Sequence, residues 1–467
     1  MNGNWLDHIL DAIADRGRDL IRIFPESKTP GSLSELCAAL LATRGEASGI
    51  ALSREILRRY RDMGMEQKKD FFDLLLHEYG ADPDKVRATA EAYLESHSHA
   101  DFQQLYDAVE PPRQELLRHL NMAPNATAQL VAMRGDLLNF ARTDKQLYAV
   151  DADFRHLLAS WFNRGFLQLQ VIDWYTPAYI LEKLINYESV HAIRSWDDLR
   201  RRLASDRRCF AFFHPAMHDE PLIFVEVALV KGMTSHVQIL LDDNAPVLDV
   251  RDADTAVFYS INNTQAGLRG ISFGNFLIKQ VLEELGSECP WIRKFVTLSP
   301  MPRFADTIKA AIRGEVHGLG PERIESLLSE WGADLMDAAG KETAGLSFLS
   351  LVEDRKMSHT TLLSKPLEQL VLAYLIQQKG NQGVIDPVAT FHLSNGARLE
   401  RINTYADDSE ERHATSFGCM VNYLYEPDEV EANHEAFVTR GEIAMSKALG
   451  KQYKKILAIP GLKPANA

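Results

Sequence analysis

The chain has 467 residues, of which 46% are hydrophobic and 25% are charged, and its formal net charge is −14. A chain of this length exceeds a single ordinary core, so we predict two or three domains. The acidic balance argues against a general binder of nucleic acids or anionic membranes, and no stretch approaches the ~18 apolar residues of a membrane span.

The cysteines are typical of a protein from a reducing compartment. Cys37, Cys209, Cys289 and Cys419 are far apart in the sequence and form no CxxC pair. Neither a disulfide framework nor a zinc site is therefore indicated. The N-terminal stretch has the pattern of an acidic amphipathic helix and lacks the apolar block of a signal peptide. We expect a cytoplasmic protein.

Residues 1–165 are predicted to form a helical domain. Apolar side chains recur at helical spacing, as in the stripe Phe71, Leu75 and Tyr79, and Pro and Gly residues mark the breaks between helices. The close pair of histidines in ESHSHADF is interpreted as a solvated turn rather than a metal site. We expect this helical domain to pack on another domain or subunit.

The sequence pattern changes after about residue 165, and residues 166–467 are predicted to form a mixed α/β domain with a helical insertion at about 304–380. Short runs of β-branched and aromatic residues indicate its strands. The predicted strands are Cys209–Phe213, Leu222–Val230, Val237–Leu240, Thr255–Ile261, Phe295–Leu298, Asp386–Leu393, Ala397–Ile402 and Met420–Tyr425. Phe166–Ile172 is interpreted either as a further strand or as an interfacial segment. A closing helix is predicted from Glu429 to Leu449. The predicted fold class is an all-α domain followed by a mixed-sheet α/β domain.

The stretch from Thr255 to Pro300 has the pattern of a strand, a glycine-punctuated turn, a helix and a second strand. Free N–H groups and the positive end of the helix dipole would make this turn a site for a phosphate or pyrophosphate. The spacing Arg269-Gly270-x-x-x-Gly274 is neither GxGxxG nor GxxxxGK(S/T). It resembles the pyrophosphate loop of the Gcn5-related N-acetyltransferase fold, which binds coenzyme A, although Ser272 stands where a further glycine is usual. A turn whose glycines serve only close packing is the alternative.

The segment His214–Pro221 contains two histidines and two carboxylates within a few residues. On a helix, His214 and His218 would share one face, as zinc ligands can. Pro215 and Pro221 bracket the segment, however, which excludes that helical pairing. We interpret it as a connection between two strands.

Three further polar positions each have two interpretations. Ser299, at the end of a predicted strand, either points into a cleft or caps the next helix, and the spacing favours the cap. His392 is placed on a strand, with Phe391 and Leu393 on its other face, and is either a titrating group in a cleft or a structural residue. Asn422 and the tyrosines after it either hydrogen-bond a substrate or are ordinary cross-strand residues.

Five blocks of sequence, in the expected order over about 215 residues, together resemble the malonyl-CoA decarboxylase family. The blocks are CFAFFHPAMHDEPLIFVEVAL (209–229), AVFYSINNTQAGLRGISFGNFLIK (256–279), TLSPMPRF (297–304), DPVATFHLSNGARLERIN (386–403) and GCMVNY (418–423). The resemblance implies an N-terminal helical domain, used in self-association, and an acetyltransferase-like catalytic domain. It also implies the conversion of malonyl-CoA to acetyl-CoA and CO2 without a metal or organic cofactor, because coenzyme A is part of the substrate.

The resemblance also implies the residues of the site. Ser299 and His392 match the catalytic pair, while Ser260 and Tyr425 match positions that line the malonyl pocket, where we also expect Asn422. The residues matched to the pyrophosphate arm are Arg269, Gly270, Ile271, Ser272, Phe273, Gly274 and Asn275. Animal relatives carry a glutamate where this chain has Ser272. If that acid orients the catalytic serine, another group must do so here.

Two other functions are compatible with the loop. An acyl-CoA-dependent N-acyltransferase would bind the same coenzyme A moiety but would need an amine acceptor. A non-catalytic coenzyme A-binding or scaffold protein, built on the helical half, predicts that Ser299 and His392 do not converge on one cleft.

Overall fold

The computed structural model of the chain describes residues 31–271, 277–315, 319–354, 360–377 and 386–459. These residues divide into two compact units. The first unit contains the described residues of Met1–Gln168, Phe213–Leu222 and Asn263–Phe273. The second contains the described residues of Leu169–Phe212, Ile223–Asn262 and Gly274–Ala467.

The first unit is built mainly from helices, as the spacing of its apolar residues predicts. Ser32 and Glu35 form a capping box at the start of the first of them, which satisfies two free backbone N–H groups. Phe72 and Leu75 are fully buried in the core of this unit. Its helices are Leu33–Ala42 (α1), Glu46–Asp62 (α2), Met65–His77 (α3), Pro83–Ser96 (α4), His99–Val109 (α5), Pro112–Leu120 (α6), Ala126–Phe140 (α7) and Tyr148–Trp161 (α8).

The second unit is organised around one mixed sheet, which confirms the predicted α/β class. Its strands are Gln168–Ile172 (β1), Arg207–Phe213 (β2), Ile223–Val230 (β3), Thr255–Asn263 (β4), Lys294–Thr297 (β5), Ser299–Pro300 (β6), Arg398–Asn403 (β7) and Met420–Tyr425 (β8). Hydrogen-bonded neighbours follow the path β1-β2-β3-β4-β5-β8, and β6 and β7 each also pair with β8. Strands β4 and β5 run parallel, with Phe258 opposite Thr297, so their carboxyl ends lie at the same edge.

Strand β8 lies between two antiparallel neighbours. On one side it pairs with β5 and β6 in a single register, with Phe295 opposite Tyr425 and Ser299 opposite Val421. On the other side it pairs with β7, where the register shifts between Leu399 and Arg401. Because side chains alternate along a strand, Tyr423 and Tyr425 share one face of β8 and Asn422 lies on the other.

One face of the sheet carries an apolar core. Its buried side chains come from β3, β4, β5, β8 and the segments beside them, and Val257, Val296 and Leu298 are fully buried within it. The opposite face of β5, β6 and β8 carries a row of polar side chains instead. The candidate site lies in that row.

Helices complete the second unit. They are Ala178–Tyr187 (α9), Trp196–Arg202 (α10), Gln238–Leu241 (α11), Leu277–Glu288 (α12), Phe304–Arg313 (α13), Pro321–Leu328 (α14), Gly332–Ala339 (α15), Ala344–Glu353 (α16), Thr361–Leu375 (α17), Pro387–Ser394 (α18), Glu410–Ser416 (α19), Val430–Arg440 (α20) and Lys447–Leu457 (α21). The described residues within 304–380 are helical or lie in short connections, as predicted.

Three of the predicted elements are wrong. Residues 386–393 form helix α18 and its cap rather than a strand, because Asp386 accepts hydrogen bonds from two free backbone N–H groups and Pro387 suits the first helical position. Residues 238–240 lie in the short helix α11 and Val237 is its capping residue, a case in which so short a segment does not distinguish helix from strand. The closing helix is two helices, since Gly441 adopts a left-handed φ of 67° and ends α20.

Gly396, the second residue after α18, provides a test of how tightly this helix is fixed. It has a φ of 80°, and an added Cβ would lie 2.0 Å from the carbonyl oxygen of Val430. We expect Gly396→Ala to destabilise the protein by about 2–5 kcal/mol, the sum of backbone strain and a backbone clash. The lowered urea midpoint of unfolding measures this loss.

Gly340→Ala is the matched control, because Gly340 also has a left-handed φ of 64° but has open space around the added Cβ. It should cost only the backbone strain of about 1–2 kcal/mol. Equal losses for the two variants would contradict the packing described for Gly396.

Candidate active site

Two side chains that are distant in sequence meet on the polar face of the sheet. Ser299 Oγ, at the start of β6, lies 2.9 Å from Nε2 of His392, in the last turn of α18. Nδ1 of the same imidazole lies 2.9 Å from the hydroxyl oxygen of Tyr425 on β8. Ser299, His392 and Tyr425 are all buried. Two strands of the sheet and one short helix thus supply the three side chains of a hydrogen-bonded triad, Ser299, His392 and Tyr425.

The predicted capping role of Ser299 is wrong. The residue that precedes α13 is Arg303, which makes no side-chain capping hydrogen bond. The side chain of Ser299 instead bonds His392 and Thr297. Ser299 belongs to the two-residue strand β6, which ends at Pro300, and it lies four residues before the capping position of α13 at Arg303.

The imidazole of His392 is enclosed by aromatic rings. Tyr423 stacks on it with ring centroids 4.6 Å apart and an interplanar angle of 24°. Burial lowers the pKa of His392 to about 3, so the ring is neutral near pH 7. Burial also raises the pKa of Tyr425 well above its ordinary value, so its phenol stays protonated and able to donate.

Thr297, the last residue of β5, adds a fourth hydroxyl-bearing or ring group to the triad and lies on the same face of the sheet as Ser299. The Ser299 hydroxyl donates to Thr297 Oγ1 over 2.9 Å, and the backbone N–H of Tyr423 donates to the same oxygen over 3.2 Å. Thr297 is fully buried. The sequence interpretation missed this residue, although its position two residues before Ser299 on a strand places both on one face.

The start of α18 is anchored by a buried carboxylate that sequence reasoning also missed. Asp386 accepts hydrogen bonds from the N–H groups of Val388 and Ala389 and, over 2.8 Å, from the hydroxyl of Tyr374 on α17. Burial raises the pKa of Asp386. The sequence signal was the Asp-Pro pair, which is typical of a helix start. This cap fixes the helix that carries His392.

Ser260 lies near the carboxyl end of β4, two residues beyond Phe258. Its hydroxyl bonds both carboxylate oxygens of Glu188, at 2.9 and 2.8 Å. The amide of Asn262 also donates to Glu188, over 2.8 Å, and to Ser260, over 2.7 Å. Glu188 follows α9 and is buried. It was not identified from the sequence, where it looks like an ordinary helix-end residue.

Asn422 is held by groups on its own side of β8. Its amide nitrogen donates to the backbone oxygen of Thr297 over 2.7 Å, and its oxygen accepts from the amide of Asn403 over 2.8 Å and from Arg401 over 3.0 Å. These hydrogen bonds account for its complete burial as a cross-strand residue. They lie on the face opposite Tyr425.

The glycine-rich loop is described only in its first part, which includes Arg269, Gly270 and Ile271. Ser272, Phe273, Gly274 and Asn275 lie outside the described residues. Arg269 is exposed, and Gly270 has a left-handed φ of 76°.

The segment that precedes the loop is fixed within the first unit by Arg134 of α7. One guanidinium nitrogen donates to the carbonyl of Gly267 over 2.6 Å and to that of Arg269 over 3.0 Å. The same side chain pairs with Asp151 over 2.7 Å and is 1% exposed. An added Cβ on Gly267 would lie 1.7 Å from the carbonyl oxygen of Val131, so this glycine serves close packing. The sequence interpretation had found no such residue in the helical half.

The histidines of the connection between β2 and β3 have structural contacts. The His214 ring lies 3.0 Å from the carbonyl oxygen of Trp161 and accepts from the N–H of Ala216 over 3.1 Å. Within the described ranges, no cluster of three or more His, Cys, Asp or Glu side chains is arranged to hold a metal ion. Every helix in those ranges is too short or too polar to span a membrane.

Comparison with known proteins shows which family the chain belongs to. The family description "Malonyl-CoA decarboxylase C-terminal domain" matches residues 165–460, and "Malonyl-CoA decarboxylase N-terminal domain" matches residues 79–162. The chain belongs to the malonyl-CoA decarboxylase family. Both halves of the family's domain pair are thus present.

Individual members of the family are similar over most of their length. The mitochondrial malonyl-CoA decarboxylase of Anser anser anser is 32% identical over 415 residues, which are 85% of this chain and 82% of that protein. The crystal structure of malonyl-CoA decarboxylase from Rhodopseudomonas palustris is 46% identical, with a TM-score of 0.82, and covers 91% of this chain and 100% of that one. The structure from Agrobacterium vitis is 45% identical, with a TM-score of 0.75, and covers 90% and 99%. The predicted fold class is confirmed by these structures.

Arg134→Met tests the buried anchor of the loop segment. The substitution leaves Asp151 as an uncompensated buried charge and removes a donor from two carbonyls. We expect it to lower the free energy of unfolding by about 3–5 kcal/mol. Arg155→Met, at an exposed position on α8, is the control and should change it by less than about 0.5 kcal/mol. Urea denaturation that gives the two variants equal stability would contradict the anchoring role.

Proposed function

We propose that this protein converts malonyl-CoA to acetyl-CoA and CO2, with Ser299 and His392 as its catalytic residues. The observation that supports this most strongly is the 2.9 Å contact between Ser299 Oγ and His392 Nε2, two buried groups that lie 93 residues apart in the sequence. The scaffold alternative predicted that these residues would not converge. Membership of the family supplies the reaction class.

The reaction requires a small, water-poor site with fixed donors. The bond between C2 and the carboxylate of the malonyl group breaks, CO2 leaves, and the electron pair passes into the thioester as an enolate. Preorganised hydrogen-bond donors stabilise the charge that develops on the enolate oxygen. The buried polar row around Ser299 provides such a setting.

The second half of the reaction is protonation. A new C–H bond forms at C2, and one proton from solvent is consumed in each turnover. His392 is our candidate for the group that delivers this proton, and Ser299 for the group that hydrogen-bonds and orients the malonyl moiety. A general acid of this kind contributes on the order of 10²–10⁴ in rate. Neither role requires a covalent intermediate.

The substrate-binding residues remain proposals. Arg269 to Asn275 are assigned to the pyrophosphate arm, for which the charge of exposed Arg269 is suited. Ser260 and Tyr425 are assigned to the malonyl pocket. Asn422, which the sequence analysis also expected there, lies on the opposite face of β8 and bonds Thr297, Asn403 and Arg401 instead, so the structure does not support its assignment to the pocket. The thioester itself accepts the electrons released with CO2, so we propose that no metal or organic cofactor takes part. Self-association through the helical domain and a cytoplasmic location also remain predictions.

The assignment of His392 is tested by His392→Ala. We expect turnover, measured as CO2 release from malonyl-CoA, to fall by at least about 10², because the proton donor is lost. Affinity for coenzyme A should stay nearly unchanged. His236→Ala, at an exposed histidine, is the control and should keep normal turnover. Near-normal turnover in His392→Ala would refute the assignment.

One assay of the unmodified protein distinguishes the proposed decarboxylase from the acyltransferase alternative. Malonyl-CoA is supplied with no amine acceptor, and methylmalonyl-CoA is run in parallel to define the substrate range. A decarboxylase yields acetyl-CoA and CO2 under these conditions. Product formation only after an amine is added would favour the acyltransferase.

A further inference from the structure

We infer that Thr297 is a positioning residue that orients the Ser299 hydroxyl and thereby keeps the proton of neutral His392 on Nε2. This inference rests on the proposed function. It also answers the question raised by Ser272, namely which group orients the serine when the acid of the animal relatives is missing.

One end of the hydrogen-bonded chain is the contact between Tyr423 and Thr297. The backbone N–H of Tyr423 can only donate, and it occupies one lone pair of Thr297 Oγ1 over 3.2 Å. The second lone pair accepts the Ser299 hydroxyl over 2.9 Å. With its proton directed at Thr297, Ser299 presents a lone pair to His392 Nε2, which must then be the donor across the 2.9 Å contact.

The other end of the chain requires the same direction. In the described part of the chain, the hydrogen-bond acceptor within reach of the Tyr425 phenol is Nδ1 of His392, at 2.9 Å. The opposite direction would leave the proton of the buried phenol unpaired, whereas the direction described above leaves the Thr297 hydroxyl proton without an acceptor among the hydrogen bonds of the described residues. A phenol is a stronger donor than an alkyl hydroxyl, so leaving the phenol proton unpaired costs more. Nδ1 is therefore the acceptor, and a neutral imidazole that accepts through Nδ1 carries its proton on Nε2.

Thr297 and Tyr425 thus favour the same tautomer from opposite ends. The proton lies on the ring nitrogen that faces Ser299, the side on which the proposed reaction needs a donor. Thr297 does not need to touch the substrate for this role, because it acts through Ser299. A threonine hydroxyl achieves the orientation without adding a second negative charge to a site that must receive a carboxylate.

The first test measures the tautomer directly and does not depend on activity. Nitrogen-15 NMR of histidine-labelled protein near pH 7, with the His392 signals assigned by their loss in His392→Asn, reports which ring nitrogen carries hydrogen. We expect protonated Nε2 and unprotonated Nδ1 in the unmodified protein. Protonated Nδ1 would overturn the inference, even if Thr297→Val fails to fold.

The second test compares Thr297→Val with Thr297→Ser, since serine keeps the hydroxyl and valine keeps the shape. We expect Thr297→Val to lower kcat at least about tenfold, the equivalent of one hydrogen bond, with KM changed less than about threefold. Its His392 tautomer should shift toward Nδ1–H, and Thr297→Ser should restore both properties. Normal kcat and an unchanged tautomer in a folded Thr297→Val protein would refute the role.

The proposed decarboxylation and the positioning role of Thr297 can be refuted independently of each other. If the unmodified protein releases no CO2 from malonyl-CoA, the proposed function is wrong, while the tautomer measurement still tests Thr297. If CO2 is released normally and the tautomer is Nδ1–H, the function stands and the role of Thr297 is wrong.

Discussion

The pairing of β8 with the continuous register of β5 and β6 is the constraint on which the candidate site depends. That pairing places Tyr423 opposite Thr297, so the backbone of one strand holds the side chain of the other. It also directs the Tyr425 hydroxyl to the position that the imidazole of His392 occupies. Backbone hydrogen bonds of the sheet thus fix the three side chains that surround the His392 imidazole, namely Ser299, Tyr423 and Tyr425.

His392 itself lies on helix α18, and two features set the position of this helix. Asp386 caps α18 at its start, and Gly396 allows the chain to pass close to Val430 at its end. An eight-residue helix has little stability of its own, so these tertiary contacts decide where it lies. The geometry of the triad is therefore a property of the packed unit.

Much of the fold could be predicted from local pattern, and much of the site could not. Apolar periodicity indicated the helical half, and β-branched runs indicated most strands. The His392 segment was misassigned because DPVATFHL alternates like a strand, while its Asp-Pro cap was the better signal. Arg134 and Glu188 were missed because each looks like an ordinary helical charge. Their function in the fold comes from contacts with residues far along the chain, which spacing does not encode.

The most direct test of the central claim is the structure of the protein with a malonyl-CoA analogue that cannot lose CO2. We expect C2 of the acyl group to lie within about 4 Å of His392 Nε2 or Ser299 Oγ, a distance compatible with proton transfer. An acyl group bound away from both atoms would contradict the account.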